Sequence, residues 1–397
     1  MGNNTTLFSL VSKQAWPQIL SSVHIKPEKL VLLHSSDEAE SKIPAKRLEA
    51  FFRTGIIRPG NTRLFEIPHD DFQNLTARLD LLLRELSLNP LNCILNFTGG
   101  NKLMATASFD WALAKNIRTF YLERENKITW FEKTESGVMT REDRLDGHIA
   151  DCFNPIDLIK CQLDASDIER EGEILSLKSQ FKNCPAEEFK GALSETPDKV
   201  KQKYFEISGS ADKDSKVGDT LEYVAAAILL RLGVKNVVRS MRLKVRRSWE
   251  PQVPKPHSEV DLVFTWGGKM WLVDCKDRIP SEWTVGSLRK ELNSCGIKFS
   301  DRAKGLLDGI EKELAAKRIS LLKEDIALIK EIGGLLGKII CVRRETMPDE
   351  VLEYAKLNNI QVVQKDQLFN SMKCIFSPDA PADIADLNNL KEAFSEK

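Results

Sequence analysis

The run from Glu259 to Lys276, Glu-Val-Asp-Leu-Val-Phe-Thr-Trp-Gly-Gly-Lys-Met-Trp-Leu-Val-Asp-Cys-Lys, restricts the fold more than any other stretch of this chain. Two β-rich segments flank Gly267-Gly268, and a two-residue loop demands the positive φ that glycine adopts without strain, so the run reads as a β-hairpin. With that turn Asp261 opposes Asp274 and Glu259 opposes Lys276, each opposed pair sharing one face with Cβ atoms about 5 Å apart. Val260, Leu262, Phe264, Trp271 and Val273 line one face, and Val263, Met270 and Leu272 the other. Strands apolar on both faces lie inside an α/β sheet. A buried pair of aspartates is unfavourable unless positive charge sits between them. A divalent cation meets that need: carboxylates hold Mg²⁺ or Mn²⁺, and a neighbouring lysine can orient or help deprotonate a water.

This arrangement resembles the core of the PD-(D/E)XK nuclease superfamily, with Asp261, a spacer, and Asp274-Cys275-Lys276 as the D-x-K element. Aspartate stands at 274 where glutamate is commoner in that superfamily. The resemblance implies a restriction-endonuclease-like carboxyl-terminal domain whose catalytic residues are Asp261, Asp274, Lys276 and, more loosely, Glu222, with metal on Asp261, Asp274 and Glu222. Glu222 lies on a predicted buried helix, Gly218 to Gly233, capped by Asp219 or Thr220 and stopped by Gly233. The alternative is a first-turn acid favoured by the helix dipole. Between helix and hairpin, alternation sets Arg242, Lys244 and Arg246 on one face, either a phosphate-binding stripe or a solvated edge strand protected by charge. His257, in a Pro-rich loop, reads as a bystander.

A second informative region is Leu91-Asn-Cys-Ile-Leu-Asn-Phe-Thr98-Gly99-Gly100-Asn101-Lys102-Leu-Met104, read as a strand, a glycine turn and a helix running towards Lys115. Backbone N–H groups at a helix N-terminus bind anions, and Lys102 adds charge, so a phosphate-bearing ligand suits the turn; glycine serves such turns for geometry alone as well. An earlier strand, Lys29–His34, ends in Ser35-Ser36-Asp37, and the carboxyl ends of parallel strands border the ligand crevice of an open α/β sheet. No Gly-x-Gly-x-x-Gly fingerprint occurs at either turn, which argues against a dinucleotide site.

Thr98 to Met104 resembles the signature of CRISPR-associated Rossmann-fold (CARF) domains, in which a Thr-Gly-Gly-Thr-Lys-like turn binds cyclic oligoadenylate at a homodimer interface; Asn101 replaces the usual threonine. A CARF domain followed by a PD-(D/E)XK nuclease is similar to a group of type III CRISPR ancillary effectors. The resemblance implies a homodimer, cyclic tetra-adenylate as activator held by Thr98, Gly99, Gly100, Asn101 and Lys102, in a pocket that Ser35 and Ser36 join by their place at a strand end, and Mn²⁺- or Mg²⁺-dependent cutting of single-stranded DNA, RNA or both, with members of the group sometimes nicking duplex DNA.

At 397 residues the chain suits two domains rather than one. The expected layout is a doubly wound Rossmann-like domain over 1–160, with a late hairpin around Glu125-Asn126, a charged helical connector and linker over 161–216, and a nuclease domain over 217–397 that includes a helix from Leu288 to Lys317. A closing βαβ unit spans Lys338 to Val363, and the last twenty residues read as a polar tail. With 58 basic and 58 acidic residues, any affinity for nucleic acid must be local. Eight cysteines without Cys-x-x-Cys spacing and five histidines without a ligand pair argue against zinc. The absence of a leader or an apolar run of about 18 residues leads to the expectation of a cytoplasmic protein with no membrane segment. Two rival readings stay open: a ligand-responsive regulatory binding protein whose nuclease fold no longer cuts, and a nuclease without ligand control.

Overall fold

The computed structural model describes residues 5–53, 61–123, 126–209, 219–243, 258–276, 292–296, 300–333, 337–343, 349–364 and 367–376. They fall into two compact units divided after Ile168, the first of which also takes in the hairpin turn Thr265–Met270.

The first unit is built on a seven-stranded sheet. Its strands are β1 (Thr6–Leu10), β2 (Lys29–His34), β3 (Thr62–Glu66), β4 (Cys93–Asn96), β5 (Arg118–Leu122), β6 (Lys127–Thr134) and β7 (Gly137–Arg144), in the order β3-β2-β1-β4-β5-β6-β7. The first five are parallel, with β1 between β2 and β4, and β6 and β7 turn back antiparallel. Helices α1 (Trp16–Ile25), α2 (Ile43–Phe52), α3 (Phe72–Glu85), α4 (Lys102–Ala114) and α5 (Pro155–Gln162) complete this mixed α/β, Rossmann-like unit. Local chemistry accounts for the helices: Asp71 caps α3 by accepting the Asn74 N–H at 3.0 Å, and Leu75, Leu79 and Leu82 repeat at helical spacing into the core. The chain leaves β1 towards β2 on one side, while β4 and β5 lie on the other, so the topological switch lies at the carboxyl ends of β1 and β4.

The second unit carries β8 (Ile168–Arg170), β9 (Glu173–Leu177), α6 (Pro197–Tyr204), β10 (Phe205–Gly209), α7 (Asp219–Arg231), β11 (Val237–Leu243), β12 (Ser258–Trp266) and β13 (Lys269–Lys276). There follow α8 (Asp301–Gly333), β14 (Gly337–Arg343), α9 (Asp349–Leu357), β15 (Ile360–Gln364) and α10 (Leu368–Ile375). The sheet order is β10-β9-β11-β12-β13-β14-β15, with β8 pairing β11. Every residue of α7 from Thr220 to Leu229 is buried, as a helix apolar on all sides must be, and Gly233 leaves it at φ +104°. The expected closing unit is present: β14 and β15 are parallel and joined by α9.

Several expectations are corrected. Residues 165–205, expected to be helical, do hold α6 but also supply β8 and β9, and β10 follows at 205–209; these strands belong to the second sheet rather than to a connector. β7, which has no apolar alternation and is exposed throughout, went unrecognised, as did α10. Glu125, Lys244, Arg246, the Pro-rich loop with His257, linker residues 210–216, the start of the expected 288–317 helix and the tail lie outside the described residues.

Close packing at the switch point generates a test. A Cβ on Gly99 would sit 2.0 Å from the Leu10 carbonyl oxygen and 2.7 Å from Gln18 Nε2. Since neither the backbone of β1 nor the Gln18 amide, which donates to that same carbonyl at 2.8 Å, can yield freely, Gly99→Ala is expected to destabilise the protein by about 1–3 kcal/mol. Urea unfolding measures this, and an unaltered midpoint would contradict the packing of this turn on β1.

Candidate functional site

The hairpin β12–β13 turns through Gly267 and Gly268 with φ of +61° and +71°, the positive values a two-residue hairpin loop needs. Val260, Leu262, Val263, Phe264, Trp271, Leu272 and Val273 are all buried, and Phe264 stacks on Trp271 with ring planes 2° apart. Asp261, Asp274 and Glu222 are buried with them.

The two aspartates have different surroundings. Asp274 Oδ1 lies 2.7 Å from Lys276 Nζ, and its Oδ2 lies 2.6 Å from Arg343 Nη2. Burial acts strongly upward on Asp274, yet Arg343 and Lys276 together outweigh it and hold the carboxyl below the ordinary range. Asp261 accepts the backbone N–H of Cys275 and forms no ion pair among the described residues. Burial first, and then the charge of Asp274, push the Asp261 carboxyl up to about 7. Glu222 Oε2 accepts from Arg239 Nε at 2.9 Å; burial and the nearby Asp261 still drive its carboxyl well above the usual range.

Arg239 connects Glu222 to further acids. Its Nη1 lies 2.8 Å from Glu173 Oε2 and its Nη2 2.7 Å from Asp219 Oδ2, while the guanidinium stacks 4.3 Å from the Tyr223 ring centre. Glu173 also receives Lys201 Nζ at 2.9 Å. Beside this network Ser240 sits at φ +56°, and its carbonyl accepts two N–H groups of Arg170. Glu259 accepts from Ser240 Oγ at 2.7 Å and Arg170 Nη2 at 3.0 Å. Arg242, the described member of the expected basic stripe, is the register partner of Glu259 with Nε 3.6 Å from its carboxylate, so an acid faces it.

Arg343, Arg239, Glu173 and Arg170 were missed by sequence reasoning. Arg239 had a usable signal, because strand alternation puts it with Met241 and Leu243 on the apolar face, and a cation there implies a buried partner. Among the described residues, no group of three or more His, Cys, Asp and Glu forms a ready metal cage. The donors present do suit a hard cation held by two carboxylates with water and phosphate completing its shell, the usual arrangement for Mg²⁺. Burial first, and then nearby negative charge, raise the proton affinity of Asp261 and Glu222.

In the first unit the turn after β4 is tied down by the residues expected to contact ligand. Thr98 Oγ1 donates to Asn96 Oδ1 at 2.6 Å and accepts the Leu122 N–H at 2.8 Å. Asn96 in turn donates to Ser9 Oγ and Ser21 Oγ. Gly100 has φ +75°. Asn101 is the N-cap of α4, accepting the Met104 N–H at 2.8 Å and donating to the His69 carbonyl at 2.9 Å. Ser35 is buried and fixes its own loop, its N–H donating to Ser41 Oγ at 3.0 Å and its hydroxyl accepting the Asp37 N–H at 3.3 Å. Ser36 and Lys102 are exposed. The loop after β1, with Ser12, Lys13 and Gln14 at least partly exposed, stands at the same switch point and was not singled out from sequence.

Residues 6–143 match the family model described as the Card1 CARF domain. No curated protein matches the chain. Among solved structures the chain is similar to Can2 from Sulfobacillus thermosulfidooxidans in complex with cyclic tetra-adenylate, at 16% identity and TM-score 0.54, over 92% of this chain and 96% of that one. It is similar to protein VC1899 from Vibrio cholerae at 11% identity and TM-score 0.55, over 98% of each chain. A type III CRISPR defence DNA nuclease activated by cyclic oligoadenylate matches at 17% identity and TM-score 0.55, over 96% of this chain and 53% of that one. At these identities the likeness is one of fold. No described helix is long and apolar enough to cross a membrane.

The raised carboxyls set a pH dependence. An acid whose folded-state pKa exceeds its unfolded value, near 4, contributes stability that is fully present below about pH 4 and is lost as pH rises through the folded value. For Asp261 that window closes at about 7. In chelator the melting temperature is therefore expected to fall between pH 5 and 8, and Asp261→Asn to flatten the profile. Identical pH profiles for the two proteins would show that Asp261 is not destabilised by its surroundings.

Proposed function

We propose that the chain is a metal-dependent endonuclease, activated by cyclic oligoadenylate, of type III CRISPR antiviral defence. The observation that carries this reading is the buried Asp261 and Asp274 on one glycine-turned hairpin, with Lys276 Nζ 2.7 Å from Asp274. The match of residues 6–143 to a CARF domain model supports the sensing half. The fold shared with Can2, solved with cyclic tetra-adenylate, favours that ring as activator.

Asp261 and Asp274 would hold Mn²⁺ or Mg²⁺, with Glu222, whose Oε2 accepts from Arg239, reaching it directly or through water. When bound, the metal supplies charge that polarises a phosphate and lowers the pKa of water. Lys276 supports negative charge as the phosphodiester is attacked. This C-terminal unit is then a PD-(D/E)XK nuclease domain acting on single-stranded DNA, RNA or both. The sensing unit pairs with that of a second copy about a two-fold axis, so that a symmetric ring meets two copies of the Thr98–Lys102 turn. Activation requires the ring to bind the cutting-competent state more tightly than the other. The alternative, a regulatory binding protein with an inactive nuclease fold, draws on the two cations that already occupy Asp274.

Incubation with Mn²⁺ and labelled single-stranded DNA and RNA, with cyclic tri-, tetra- or hexa-adenylate or none, tests the whole reading. Cutting is expected with cyclic tetra-adenylate and Mn²⁺ together. Ligand binding without any cutting would favour the regulatory protein, and cutting at one rate regardless of ring would remove ligand control. Asp261→Asn is expected to abolish cutting while ring binding persists; loss of both would signal misfolding. Lys102→Ala is expected to weaken ring binding at least tenfold by calorimetry, and unchanged affinity would exclude Lys102 from the pocket.

A further inference from the structure

Asp274 has two cationic partners that differ in their freedom to leave. Arg343, the last residue of β14, is buried, its side chain only 6% exposed, whereas the Lys276 side chain is 39% exposed. The guanidinium makes a fork onto a single residue: Nη1 donates to the Asp274 main-chain carbonyl at 2.9 Å and Nη2 to its Oδ2 at 2.6 Å. Nη1 also donates to the Val342 carbonyl at 3.0 Å, anchoring the fork to its own strand. A planar fork holding both the backbone and one carboxylate oxygen of Asp274 fixes the rotation of that side chain as well as its charge. Lys276 meets the other oxygen, Oδ1, from the more exposed side.

We propose that Arg343 is a positioning residue that keeps Asp274 oriented so that Oδ1 alone is offered to an incoming cation, and that Lys276 is the partner that exchanges. The inference rests on the nuclease reading and deepens it. A cation arriving at Asp274 displaces the flexible ammonium from Oδ1, leaving Lys276 to move towards the reacting phosphate, while the enclosed guanidinium keeps Oδ2 and the backbone in place. A lysine at 343 would keep the charge without the two-pronged geometry.

The test measures Mn²⁺ binding to the full chain by calorimetry without nucleic acid, so that it reads the site and not turnover. Arg343→Met is expected to weaken Mn²⁺ binding at least tenfold, Arg343→Lys to leave it impaired, and Lys276→Met to keep it within about threefold of the wild type. A second arm needs no metal. Unfolding midpoints of Arg343→Met, Asp274→Asn and the double variant in chelator are expected to be strongly non-additive, the double variant being better folded than the sum of the singles implies, because removing both members of the enclosed pair strands neither of them, and Lys276 is exposed enough to stay hydrated. Additive midpoints, wild-type Mn²⁺ affinity in Arg343→Met, or full recovery in Arg343→Lys would each overturn the proposal. Those outcomes differ from failure of the nuclease reading itself, which shows as a wild-type protein that neither binds Mn²⁺ nor cuts, and which removes this inference with it.

Discussion

The second unit depends on how a surplus of buried negative charge is neutralised. Glu173, Glu222, Asp261 and Asp274 are all buried, and the buried guanidinium groups that answer them belong to Arg239 and Arg343, with Lys201 and Lys276 reaching in from more exposed positions. Arg239 serves Glu173 and Glu222 together with Asp219, and Arg343 serves Asp274. Taking away one partner of a buried pair typically costs about 3–5 kcal/mol, so the sheet is committed to both arginines. The compensation is uneven. Asp274 is held ionised, whereas Asp261 and Glu222 are pushed towards their neutral forms, and the site therefore gains most from one further cation placed beside Asp261.

The elements legible in the residues are those whose information is local. The hairpin follows from Gly267-Gly268 between runs apolar on both faces, the buried helix Asp219–Arg231 from an apolar run that carries Glu222, and the closing βαβ unit from β-rich runs around a short amphipathic helix. β7 escaped because Gly137–Arg144 has no buried face, and its strand character comes from pairing with β6. β9 escaped because it lies among charged residues, although Glu173-Ile-Leu-Ser-Leu carries its apolar side chains in a pattern that only the neighbours β10 and β11 turn into a sheet. Arg343 was hidden for the same reason. Its role depends on Asp274, a residue 69 positions away, and no local pattern announces that pairing.

In the first unit, residue types that suit a phosphate pocket also suit a turn braced by its own side chains. Ser35 suits a ligand contact by its place at a strand end and Thr98 by its place in the glycine turn; the structure uses the Ser35 hydroxyl within its own loop and the Thr98 hydroxyl to tie Asn96 of β4 to the Leu122 N–H of β5. Using the side chains internally is what makes such a turn rigid. A glycine turn whose side chains were all turned outward would pay its ordering entropy when a ligand arrived, whereas one pinned by Asn96, Thr98 and Asn101 has already met that cost on folding.

The same logic accounts for the one departure from the signature. Threonine and asparagine are both effective N-caps, since each offers a side-chain oxygen to an N–H of the first helical turn. Asn101 fills that role for α4 through Met104, and its amide adds a donor that threonine lacks, spent on the His69 carbonyl of the loop after β3. The replacement thus preserves the start of the helix and adds a tether between two loops at the carboxyl edge of the sheet. Under the proposed sensing function, the side chain at 101 is spent on the cap and the tether, and an anion at this turn would meet the start of α4 and Lys102, the exposed residue that begins it.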